Sequence, residues 1–237
     1  MNLVDKQPIV ILNGWGGQQF FWQNFLGNLS CEVKLIDTCD YLISDNLDEV
    51  ASQIIKLIPN EAYVIGWSLG GQVALNIAAQ YPDKIKKLIT IGTNPKFIAQ
   101  TDWPGMNETI FAGFCAKFMN NPIKALNYFF KLQLMGVKNL KHFIAQLPQV
   151  KNIEITKLKH GLQILKQADL RSMIQKINLP NLHIYGKQDH LVPHEISAHM
   201  KNMNSLSKVK IISAASHLPF FTNVDECYKI ISEFLHE

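Results

Sequence analysis

Short apolar β-type runs alternate with longer stretches of helical period through the first 91 residues of this 237-residue chain. That alternation predicts a parallel sheet wrapped by crossover helices. Residues 8–12 read as a strand buried on both faces, because nothing polar interrupts Ile9, Val10, Ile11 and Leu12. Residues 20–29 read as a helix, 33–36 as a second strand and 46–58 as a helix. Residues 62–65 follow as the third strand, 70–80 as a helix of small residues and 85–91 as the fourth strand. From about residue 94 to 173 the rhythm breaks into helical pattern rich in Phe, Leu and Lys, with no strand candidate. So long a stretch is not a loop in a compact domain. It is expected to form a helical lid, 94–173, inserted into a core made of 1–93 and 174–237. After Leu179-Pro180 the alternation resumes, with strands at 183–185 and 209–212 and helices at 193–201 and 224–235.

Composition narrows the class. An apolar content of 47% is that of a globular domain with a substantial core. The longest apolar runs are far too short to span a bilayer. Met1-Asn2-Leu3-Val4-Asp5-Lys6 carries no charged-then-apolar signal, so a cytoplasmic location is expected. Cys31, Cys39, Cys115 and Cys227 are scattered, without metal-ligand or redox spacing, and read as reduced thiols packed as small apolar groups. Net charge is only +4, but it is uneven: residues 115–166 hold nine lysines against one acid, Glu154.

The strongest chemical signal is Gly66-Trp67-Ser68-Leu69-Gly70-Gly71. It matches G-x-S-x-G and falls between a predicted buried strand and a predicted helix, where a nucleophile elbow belongs. A serine on so tight a turn needs neighbours without bulk, which Gly66 and Gly70 supply. The alternative is an ordinary strand-to-helix turn with a capping serine. An elbow serine requires an acid and then a histidine later in the chain. Asp189 follows the strand at 183–185, and His217 follows the strand at 209–212, so both would emerge at carboxyl ends of neighbouring parallel strands. His190, His194 and His199 lie near a helix start, His142, His160 and His236 among charged helical residues, and His183 within a strand. Only His217 has both the chain order and the post-strand position. The oxyanion hole would take the N–H of Leu69 and one from the loop Asn13-Gly14-Trp15-Gly16-Gly17, that of Trp15. The glycines match no phosphate-binding pattern, and neither metal nor organic cofactor is expected.

With these residues in place, the chain resembles the carboxylesterase branch of the α/β-hydrolases. More narrowly it is similar to the pimeloyl-acyl-carrier-protein methyl ester esterases of biotin synthesis. The segments that carry the likeness are Gly14-Trp15-Gly16, the elbow with Trp67 before the serine, Asp102-Trp103-Pro104-Gly105, Leu132-Gln133-Leu134-Met135-Gly136, Asp169-Leu170-Arg171 and His217-Leu218-Pro219-Phe220. The resemblance implies an α/β-hydrolase fold with a helical lid and cleavage of a methyl ester at the end of an acyl chain borne on acyl carrier protein. It implies Ser68, Asp189 and His217 as the catalytic triad. Trp15, Leu69, Trp67 and Phe129 would serve the oxyanion and the acyl chain. Acyl carrier proteins are acidic, so the basic lid, through Lys124, Lys131 and Lys138, would steer docking; the plainer reading makes those lysines the solvated side of amphipathic helices. No nucleic acid or membrane partner is expected, and a monomer is. Two rivals stand beside this reading: a general carboxylesterase for short free esters, and a hydrolase-fold binding protein without turnover. Two departures concern loop geometry. Many family members have His where this chain has Asn13, and relatives carry a glycine-rich turn where it runs Asp37-Thr38-Cys39-Asp40.

Overall fold

The computed structural model describes residues 7–29, 31–150 and 153–237. The reading of Met1 to Lys6, and Lys151 of the basic segment, lie outside them. Six strands, β1 (Ile9–Leu12), β2 (Val33–Ile36), β3 (Ala62–Trp67), β4 (Ile85–Ile91), β5 (Asn181–Gly186) and β6 (Ser207–Ile212), pair in the order β2-β1-β3-β4-β5-β6. Every pair is parallel. The inner strands β1, β3 and β5 are buried along their whole length, whereas β6 at the edge shows exposed positions. That is the pattern of a sheet covered by helices on both faces. The chain leaves β1 toward β2 and returns to β3 on the other side of β1, which opens a crevice at the strands' carboxyl ends.

The crossover helices begin where side chains satisfy the free N–H groups of the first turn. After α1 (Gln23–Leu26), helix α2 (Leu47–Ile54) is capped by Asn46, whose Oδ1 accepts from the N–H of Asp48 and Glu49. Helix α3 (Leu69–Gln80) packs against β3 with almost every residue buried, which explains its small side chains. Between β4 and β5 stand α4 (Glu108–Asn120), α5 (Pro122–Leu132), α6 (Leu140–Gln146), α7 (Ile155–Gln167) and α8 (Arg171–Ile174). Asn107 caps α4, and Asn121 followed by Pro122 starts α5. The C-terminal part adds α9 (Ile196–Met203), α10 (Pro219–Thr222) and α11 (Val224–His236).

Local departures from the sequence reading have local causes. Residues 20–29 are not one helix: a 3₁₀ turn over Gln19–Trp22 leads into α1, which ends at Gly27. The helical insertion does not begin at 94 either. Residues 92–107 form a loop closed by bridges between Ile98 and Met106 and between Gln100 and Trp103. The indole N–H of Trp103 points at Asn94 Oδ1 and the Lys96 carbonyl, each at 3.0 Å, and ties this loop to itself. Pro95, Pro104 and Gly105 already disfavour a helix there.

Candidate active site

Four loops at the carboxyl ends of the strands build the site. Ser68 follows β3 directly and has φ 54° and ψ −117°, a strained conformation for a side-chain-bearing residue. Crowding enforces the flanking glycines. A Cβ on Gly66 would stand 2.6 Å from the Gly71 Cα, and one on Gly70 would stand 2.3 Å from the Leu12 carbonyl oxygen. Leu69 is the first residue of α3, so its N–H is one of the orphan donors of a helix start. Among the described residues, neither its N–H nor that of Trp15 enters the turn and loop hydrogen bonding.

Asp189 and His217 meet across the ends of β5 and β6. The His217 Nδ1–H donates to Asp189 Oδ2 at 2.7 Å, with both side chains buried. The other carboxylate oxygen accepts from the N–H of Leu191 at 2.8 Å and Val192 at 3.0 Å, so the acid is fixed from both sides. With Nδ1 occupied, Nε2 is the acceptor nitrogen of the ring, and it has no hydrogen-bond partner among the described residues. The backbone of His217 is held as well: its N–H donates to the Gln133 carbonyl at 3.2 Å, and its C=O accepts from the Trp67 indole at 3.1 Å.

Ser68 and His217 both line one chamber of ≈ 60 Å³, whose other walls include Trp15, Phe97, Phe114, Phe129, Leu162 and Leu191. Met106, Ile110 and Leu132 also line a neighbouring groove of ≈ 480 Å³, where Lys117, Tyr128 and His190 stand. Trp15 is the keystone of the apolar wall. Its indole donates to the Leu158 carbonyl at 2.7 Å, and Phe114, Phe118 and Phe129 meet its ring edge-on. Helix α7 approaches so closely that a Cβ on Gly161 would lie 2.6 Å from Trp15 Cδ1.

Ser68, His217, Trp15 and Phe129 therefore share a chamber, and Leu69 presents only its backbone nearby. Trp67 is not brought to that wall. It is fully buried behind it, so the sequence-based place for it beside the acyl chain gives way to one under the loops. Lys124 and Lys131 are exposed on α5, and Lys138 is exposed in the turn before α6. The remaining histidines go elsewhere: His183 is buried between strands on Thr90 and Asn181, and desolvation pushes it down to about 3. Each departure in the loops makes a hydrogen bond to a neighbouring segment, while Asn13 Nδ2 is buried without a partner among the described residues. Asn13 Oδ1 accepts from the Trp22 indole at 2.7 Å, and Cys39 Sγ accepts from the Gly16 N–H at 3.3 Å. No helix among the described residues is long and apolar enough to cross a membrane.

A serine on an elbow and a buried acid–imidazole pair in one chamber define a hydrolase site. The α/β hydrolase fold family model matches residues 7–224, and the chain belongs to that family. Among its relatives is the pimeloyl-[acyl-carrier protein] methyl ester esterase of Shewanella woodyi, 33% identical over 98% of this chain and 94% of that protein. The enzyme of the same name from Vibrio vulnificus is 31% identical over 94% of this chain and 92% of its own length. Among solved structures, an esterase from Exiguobacterium antarcticum superposes with a TM-score of 0.83 at 18% identity, covering 98% of this chain and 92% of that one. A bromoperoxidase from Bacillus anthracis does so at 0.84 and 21% identity, covering 98% and 93%; these two likenesses concern the fold alone.

Proposed function

We propose that this chain is a serine carboxylesterase that hydrolyses the methyl ester of pimeloyl-acyl-carrier protein, releasing methanol and the free pimeloyl carrier in biotin synthesis. The observation that carries the reading is His217: Nδ1 bound to Asp189, Nε2 without a partner among the described residues, in an apolar chamber that Ser68 also lines. Near-full-length identity to enzymes named for that reaction supports the substrate.

In this mechanism His217 Nε2 takes the Ser68 hydroxyl proton as Oγ attacks the ester carbonyl. The N–H groups of Trp15 and Leu69 hold the oxyanion, and the α3 N-terminus adds its positive end. His217 then protonates the departing methoxide, and methanol leaves. A water that gives its proton to the same nitrogen attacks the acyl-serine, and collapse frees the acid as His217 returns that proton to the leaving Ser68 oxygen. Asp189 keeps the imidazole in one tautomer and stabilises its charged form. Every step uses protein groups and water.

Helices α4–α8 act as the lid, with α5 as the docking face for the acidic carrier. Its apolar side, Ala125, Leu126 and Phe130, packs inward while Lys124 and Lys131 face outward. The enzyme works as a cytoplasmic monomer on this reading. The test is kcat/KM for pimeloyl-acyl-carrier-protein methyl ester beside the free dimethyl ester of pimelate, at low and high salt. A carrier preference that shrinks with salt is the expected result. Equal rates on both substrates at all salts would leave a general carboxylesterase.

A further inference from the structure

We infer that Trp67 is a positioning residue, one side chain that sets the nucleophile loop, the oxyanion loop and the His217 loop relative to one another. This rests on the serine hydrolase reading above and adds to it how the active geometry is held. Trp67 ends β3 and is peptide-linked to Ser68. Its indole N–H donates to the His217 carbonyl at 3.1 Å, in a buried bond that spans 150 residues of sequence. Its six-membered ring lies directly beneath the oxyanion loop. A Cβ on Gly14 would stand 3.0 Å from Trp67 Cε3, and one on Gly17 would stand 2.8 Å from Cζ3. The ring also tilts against the imidazole itself, with centroids 5.7 Å apart.

Three loops from β1, β3 and β6 thus meet on one side chain, whose ring Phe21 and Phe220 pack edge to face. Trp67 has no exposed surface and is absent from the chamber walls, so it does not touch substrate. Losing the indole N–H would orphan a buried carbonyl, and the His217 loop would shift to find a donor. Misplacing a general base by about 1 Å costs on the order of 100-fold in rate while leaving ground-state binding alone.

The test compares wild type, Trp67→Phe and Phe25→Leu. Trp67→Phe keeps a ring but removes the donor. Phe25 is buried against Trp22 and Tyr228 and makes no ring contact with Trp67 or His217 among the described residues, so its truncation reports loss of packing one layer out from the loops. Kinetics on p-nitrophenyl butyrate and the rate of Ser68 labelling by a fluorophosphonate are measured with thermal midpoints. Trp67→Phe is expected to lose about 10- to 100-fold in kcat and in labelling rate, with KM within about two-fold. Phe25→Leu is expected to melt lower with kcat retained. An unchanged kcat in Trp67→Phe, a change confined to KM, or an equal kcat loss in Phe25→Leu overturns the inference. A wild type that is not labelled at Ser68 overturns the hydrolase reading and this inference with it; normal wild-type labelling with a null Trp67→Phe effect overturns the inference alone.

Discussion

Replacing Gly70 by Ala adds one methyl group where the start of α3 crosses the end of β1 backbone to backbone. The added Cβ would lie 2.3 Å from the Leu12 carbonyl oxygen and 2.4 Å from that of Asn13. Ordinary carbon contacts begin near 3.5 Å, so α3 and the end of β1 must separate by about 1 Å. Neither partner can swing aside. Leu12 is held in register by Ile36 on one side and Gly66 on the other, and both atoms it presents are backbone. Overpacking of this kind costs about 1–3 kcal/mol, and backbone on both sides puts this case at the upper end. The displacement also pulls the Leu69 N–H at the start of α3 away from Trp15 on the β1 loop. A shift of about 1 Å is worth on the order of 100-fold in rate. Urea melts and kcat on p-nitrophenyl butyrate measure the two effects separately. The matched control is Gly113→Ala on exposed α4, where an added Cβ meets nothing within 4 Å; it should gain about 0.5–1 kcal/mol. A Gly70→Ala protein with wild-type midpoint and rate would refute the reasoning.

Other perturbations reach different parts of the molecule. Asp189→Asn keeps the acceptor for the Leu191 and Val192 N–H groups but disfavours the working tautomer of His217, so kcat at pH 7 should fall about 10³- to 10⁴-fold while the urea midpoint stays within about 1 kcal/mol. Burial first, and then the neighbouring Asp40, push Asp37 from 3.8 up to about 6. Between those values the folded state holds a proton that the unfolded state has released, so stability falls as pH rises through the window, and the penalty is complete above pH 6. Asp37→Asn should therefore be about 1–3 kcal/mol more stable than wild type at pH 7.5 and equal to it below pH 4, as urea melts at both pH values would read. The double charge reversal Lys124→Glu with Lys131→Glu should lower kcat/KM on the carrier-borne ester about 10-fold at low salt and leave a free ester untouched.

Much of the fold was legible because its signals are local. Unbroken aliphatic runs such as residues 9–12 announce strands covered on both faces, and the elbow is a contiguous motif between one strand and one helix. The order of Ser68, Asp189 and His217, each just past a strand, was readable for the same reason: parallel strands deliver their carboxyl ends to one edge of the sheet. What escaped depends on contacts distant in sequence. The loop over 92–107 owes its shape to Trp103 reaching back to Asn94, which periodicity does not record. Trp67 reads as one more aromatic near an active serine until the path of the β6 loop places a carbonyl over its indole nitrogen. Likewise the hold of Gln133 on the His217 N–H joins the turn after α5 to a loop 84 residues further on, and neither segment advertises the other.

On the proposed function, Ser68 carries ester hydrolysis on a carrier-borne substrate. Methanol release from pimeloyl-acyl-carrier-protein methyl ester by wild type and Ser68→Ala, side by side, tests it most directly. Rapid release by the wild type and a fall of several orders of magnitude in the variant are expected, with an unchanged melting profile. A Ser68→Ala protein that still turns the ester over at the wild-type rate would contradict it.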